Sequence, residues 1–106
     1  MTIIETKIFS RQIDQLISFE QYRMLQTNLV KNPESGDVII GSGGIRKIRW
    51  GIEHKGKRAG IRVLYYWIKS SETILMLIAY PKNVLDDLSK KEMNILKKLV
   101  REELEK

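Results

Sequence analysis

The sequence contains no cysteine and a single histidine, His54. That excludes disulfides, thiolate nucleophiles and Cys-based metal sites, and with them any multi-His zinc cluster. No apolar run approaches the roughly 18 residues of a membrane span, so no transmembrane helix is expected. The opening stretch MTIIETKIFSRQID breaks its apolar residues with charges and lacks a signal-peptide core. Cytoplasmic residence is the default expectation. The sharpest absence is of negative charge in mid-chain. Between Ile45 and Lys69, Glu53 is the only acid, and it faces eight bases: Arg46, Lys47, Arg49, Lys55, Lys57, Arg58, Arg62 and Lys69. That window carries +7, while the remainder, with eleven bases and twelve acids, carries −1. The net charge of +6 and the pI near 9.7 therefore come from one segment. A dense cationic segment is suited to polyanions, above all to nucleic acid phosphates.

At 106 residues the chain holds one domain, here 1–106, with a single modest core. Thr2 to Phe9 reads as a short strand. Ser10 caps a short helix through about Leu16, and Ser18 with Gln21 forms a capping box for a second helix. The apolar positions Phe19, Tyr22, Met24, Leu25 and Leu29 keep helical spacing. Asn32-Pro33 ends that helix, because proline disfavours α geometry in the residue before it. Asp37 to Ile40 is extended, and Gly41-Ser42-Gly43-Gly44 fits a turn rather than a Walker or dinucleotide loop. Ile45–Glu53 and Gly60–Ser70 form a basic hairpin joined by His54-Lys55-Gly56-Lys57-Arg58-Ala59. Glu72–Tyr80 is a third, strongly apolar strand that Pro81 ends. Ser89 with Glu92 opens a C-terminal helix through Met93, Leu96, Leu99, Val100 and Leu104. The predicted fold is α+β: an N-terminal strand and helical hairpin, a central antiparallel sheet of three to four strands, and a closing helix.

Alternation along strands sorts the charges into faces. Lys47 and Arg49 share one face, and Arg46, Ile48 and Trp50 the other. Arg62, Leu64 and Tyr66 lie opposite Ile61, Val63, Tyr65 and Trp67. If Lys47 and Arg49 face the side of Arg62, three cations converge, with Tyr66 and Tyr80 at the border. Charged residues on strands are commonly a sheet's solvated side, but here the usual interspersed acids are missing. Such a patch suits RNA, since cations hold phosphates and aromatic rings stack unpaired bases. It also suits phosphodiester cleavage, where cations stabilise charge growing on the scissile phosphate. Crowded cations lower a lysine's pKa, so that one can accept a proton. Trp50 and Trp67 read as packing residues, His54 as plain surface, and Asp86 and Asp87 as helix-start carboxylates.

Three stretches carry a resemblance. They are Asn32-Pro33 through Gly36-Asp37-Val38-Ile39, Gly41 through Arg49, and Gly56-Lys57-Arg58-Ala59-Gly60-Ile61-Arg62-Val63-Leu64-Tyr65-Tyr66. Tyr80-Pro81-Lys82-Asn83 and Asp87-Leu88-Ser89 continue it. Together they resemble the RelE/ParE superfamily of type II toxins, with the nearest likeness to its HigB branch. The resemblance implies a ribosome-dependent mRNA endonuclease that needs no metal or cofactor and is held inactive by a cognate antitoxin. The implied reaction is attack of an RNA 2′-OH on the adjacent phosphate in the ribosomal A site. Lys47 and Arg49 match the family's basic pair, Arg62 its phosphate-stabilising arginine, and Lys82 a later basic residue. Arg46, Lys55, Lys57, Arg58, Tyr66 and Tyr80 are the expected RNA- and ribosome-binding set. Asn83 stands where better-known members carry an arginine, and Leu88 where they carry a stacking tyrosine. The proton acceptor and donor are thus unassigned.

The expected partners are a small helix-turn-helix antitoxin, the ribosome and mRNA, with operator DNA reached only through the antitoxin and no membrane. Two other functions fit the same charge. One is a ParE-like toxin that poisons DNA gyrase without cutting nucleic acid. The other is a basic nucleic-acid-binding module without enzymatic activity, marked by steeply salt-dependent binding.

Overall fold

The computed structural model describes residues 1–52, 56–82 and 88–106, with backbone alone at 52 and 56–59. Strand β1 (Thr2–Glu5) is followed by helices α1 (Lys7–Leu16) and α2 (Phe19–Lys31). The first strand is shorter than its isoleucines predict, and Ser10 is not the cap. Thr6 takes that role: its hydroxyl accepts from the Phe9 amide at 3.0 Å and donates to the Leu77 carbonyl at 2.7 Å. Ser10 lies inside α1 and donates to Glu5 Oε1 at 2.6 Å. With helix from Lys7, Phe9, Ile13 and Ile17 repeat at four-residue spacing and are buried, while Ile8 turns outward. The Ser18–Gln21 capping box and the stop at Asn32 match expectation.

Four antiparallel strands follow, β2 (Asp37–Val38), β3 (Arg46–Ile52), β4 (Gly56–Ile68) and β5 (Thr73–Pro81). The order across the sheet is β1-β5-β4-β3-β2, and β1 joins it in parallel beside β5. Strand β4 begins at Gly56, so Lys57 and Arg58 belong to its backbone rather than to a loop; His54 and Lys55 lie outside the described residues. Gly60 explains how the hairpin stays tight, because a Cβ there would stand 2.4 Å from the Trp50 carbonyl oxygen. A short 3₁₀ turn at Lys69–Ser71, closed by Glu72 in the left-handed region at φ 48°, leads into β5. Helix α3 (Lys90–Leu104) opens on the predicted Ser89–Glu92 capping box. Asn83, Asp86 and Asp87 lie outside the described residues. None of the described helices is long and apolar enough to cross a membrane.

The sheet is buried on both faces. On one, α1 and α2 cover Ile61, Val63, Tyr65, Ile74 and Met76, with Trp50 and Trp67 packed at the margin. On the other, Leu96 and Val100 of α3 cover Leu64, Leu75 and Leu77. Helix α3 leaves part of this second face free, and there Lys47, Arg49 and Arg62 lie.

The turn between β2 and β3 shapes one side of that opening. Gly41, Gly43 and Gly44 have φ of 78°, 76° and 109°, which residues with a Cβ seldom adopt. The buried Ser42 hydroxyl donates to the Ile39 carbonyl at 2.6 Å and accepts from the Ile45 amide at 2.9 Å. The glycine-rich run is a stapled turn.

Candidate active site

Strand register decides which cations meet. Arg49 pairs with Arg62 across β3 and β4, and Arg62 pairs with Tyr80 across β4 and β5. The next row on the same face is Lys47, Leu64 and Ile78. Paired residues share a sheet face with Cβ atoms about 5 Å apart, so Lys47, Arg49 and Arg62 converge as the alternation predicts. Asp37 is Lys47's register neighbour on β2, and the salt bridges among the described residues do not include this pair. Among the described residues none of the three cations is paired with a carboxylate.

Arg62 is 7% exposed, yet its guanidinium makes only a marginal 3.5 Å contact with the Ile61 carbonyl. Its remaining donors are not sealed in: Trp67 Nε1 is the fully buried side-chain donor left without a partner among the described residues. Like charges directly opposite on a sheet repel. Two arginines held so, with no carboxylate paired to either among the described residues, lower their energy by taking up an anion.

Beside this row lies a cleft of about 470 Å³. Lys47, Leu64 and Tyr80 form its floor, Ile39, Ile40 and Gly41 one wall, and Leu88, Lys90, Met93, Asn94 and Lys97 the other. Among the described residues three lysines line it and no acid does. Lys82, half-buried two residues past Tyr80, donates its amide to the Gly60 carbonyl at 3.4 Å.

The other sequence candidates sit elsewhere. Arg46 is on the helical-hairpin face, where Nη1 donates to the Gly36 carbonyl at 2.7 Å and Nη2 lies 3.5 Å from Glu34. Tyr66 shares the face of Arg62 but lies further along β4, over Gly44, where a Cβ would meet its ring at 3.2 Å. For Lys57 and Arg58 the structure describes the backbone alone. Sequence reasoning missed Lys90, Asn94 and Lys97. Their signal was present as an i, i+4, i+7 stripe on α3, but nothing local shows that this stripe faces β3. Among the described residues no group of three His, Cys, Asp or Glu converges in a way that could hold a metal ion.

The arrangement can seat a phosphate against Arg62 and Arg49 and pass the flanking chain into the lysine-lined cleft. Residues 1–105 match the family described as RelE toxin of the RelE/RelB toxin–antitoxin system. With this fold and this match over nearly its full length, the chain belongs to the RelE toxin family, the toxin half of a toxin–antitoxin system.

Proposed function

We propose that the protein is a ribosome-dependent mRNA endonuclease of the HigB-like kind. The observation that carries this reading is the buried Arg62, paired with no carboxylate among the described residues and set directly between Arg49 and Tyr80. Attack of a ribose 2′-OH on the adjacent phosphate adds negative charge to the phosphoryl oxygens. Donors already fixed in place stabilise that charge without reorganising during the reaction. Arg62 is fixed by burial, while the strand sets the face from which the exposed Arg49 and the half-buried Lys47 project. The planar guanidiniums suit the phosphoryl oxygens, and Lys47 supplies a compact charge beside them. The ribosome supplies the alignment of 2′-OH and phosphate that a loose RNA strand lacks. In cells a cognate antitoxin holds the toxin inactive.

The test is induction of the toxin followed by primer extension on a translated mRNA. Discrete cuts within codons are expected, and they disappear when Lys47, Arg49 and Arg62 are all changed to Ala in a protein that still folds. Undiminished cutting by that variant sinks the assignment. Intact mRNA with DNA damage identifies a gyrase poison instead.

A further inference from the structure

We infer that α3 is a second, substrate-holding jaw: Lys90 and Lys97 grip phosphates of the RNA strand flanking the cleavage point, and the apolar side of the cleft, led by Ile40, takes a base. This deepens the cleavage reading and rests on it for the identity of the strand as RNA.

The cleft has two chemistries. Lys47 from β3 and Lys90 and Lys97 from α3 bring cations from both sides, and no acid lines the cleft among the described residues. Ile39, Ile40, Leu88 and Met93 supply apolar surface in the same cleft. Alternating charge and apolar surface is what a single strand of nucleic acid presents, with phosphates along its edge and bases that bury their faces.

Two local anomalies point the same way. Ile40 is 99% exposed at the tip of the β2–β3 turn, where a polar residue would cost nothing. Lys90 and Lys91 occupy the first turn of α3, where the helix dipole disfavours cations. Departures from local preference that the fold does not need are expected where a chain binds something. Lys90 is exposed and makes no ion pair among the described residues, so it does not serve the fold.

The experiment measures binding of a short, uncleavable 2′-O-methyl single-stranded oligonucleotide across a range of salt concentrations. Each phosphate contact on a single strand contributes about −0.7 to the slope of log affinity against log salt. Removing both lysines with K90A/K97A should make the slope less negative by about 1.4, roughly a sevenfold difference in how far affinity falls from 50 to 200 mM salt. The melting temperature should hold or rise, because Lys90 opposes the helix dipole. Ile40→Ser should weaken binding by the same factor at every salt concentration and leave the slope alone. The control K7A/R11A, on exposed positions of α1, should change neither.

Equal slopes for wild type and K90A/K97A overturn the inference. So does an equal change in the α1 control, or a wild type that fails to bind even at low salt. Binding that follows Lys90 and Lys97 while induced cells keep their mRNA intact leaves the jaw standing and removes the cleavage reading.

Discussion

Arg49 and Arg62 stand directly opposite each other across β3 and β4, with no carboxylate paired to either among the described residues. Placing like charges in a cross-strand pair costs a few tenths of a kcal/mol or more, and burying one of them costs more. The fold carries this cost at the one place where an incoming phosphate would relieve it.

Arg62→Met tests that trade directly. Methionine keeps the apolar stem and removes the buried charge, and exchanging buried charge for apolar volume is often stabilising by about 1 kcal/mol or more. The variant should therefore unfold at higher denaturant concentration than the wild type. Its cleavage of translated mRNA should drop on the order of 100-fold or more, the usual effect of losing one preorganised donor. A variant that loses both stability and activity would show Arg62 to be a structural residue.

Much of this site was legible in the sequence because strand alternation is a local property. Lys47 and Arg49 were bound to share a face, and Tyr65 and Tyr66 to point apart. That Arg62 joins the first pair depended on register, which distant packing sets. The misreadings have similar causes. Ile3, Ile4 and Ile8 look like one strand until Thr6 caps α1 and Phe9 takes the buried place. Glycines and charges at Gly56–Gly60 look like a loop, although they continue β4. The parallel pairing of β1 with β5 joins segments some seventy residues apart and leaves no local trace. The facing of Lys90 and Lys97 toward β3 was hidden for the same reason.

Tyr65 ties β4 to the turn that follows α2. It is fully buried, its hydroxyl donates to the Pro33 carbonyl at 2.7 Å, and it accepts from the Gly36 amide at 2.8 Å. Tyr65→Phe leaves both backbone groups without this partner, so a loss of about 1–3 kcal/mol is expected from chemical denaturation. Gly36→Ala should destabilise as well, since its Cβ would sit 2.9 Å from the Lys47 carbonyl and from the Tyr65 ring.

Alkaline pH should unfold the protein through its tyrosines. Burial raises the Tyr22 phenol well above its ordinary value, helped by its hydrogen bond to Glu5 and that carboxylate's charge. Burial likewise raises Tyr65. A group whose folded pKa lies above its unfolded one contributes stability that is whole below the unfolded value, about pH 10. That contribution is lost as pH rises further toward the folded value. Urea midpoints should thus fall from about pH 10 upward. Tyr22→Phe should start lower but fall less steeply, and an unchanged slope would refute the role given to Tyr22.

At the other end of the pH range the capping box of α3 is the group to watch. Ser89 Oγ accepts from the Glu92 amide at 3.1 Å, and Glu92 Oε1 accepts from the Ser89 amide at 3.0 Å. These bonds hold the Glu92 carboxyl below the usual carboxylate range. A lowered acid contributes stability that is present above its unfolded pKa and lost as pH falls through the folded one. Ser89→Ala should cost about 1 kcal/mol at neutral pH through the lost cap. It should also return Glu92 toward its ordinary titration, which carboxyl NMR shifts followed from pH 6 to pH 3 would read. Because Ser89 and Lys90 both line the cleft, fraying of this first turn should also weaken oligonucleotide binding. Glu92→Gln keeps an acceptor for the Ser89 amide and abolishes the titration. It should retain binding and lose only the acid dependence, which separates the cap's shape from its charge.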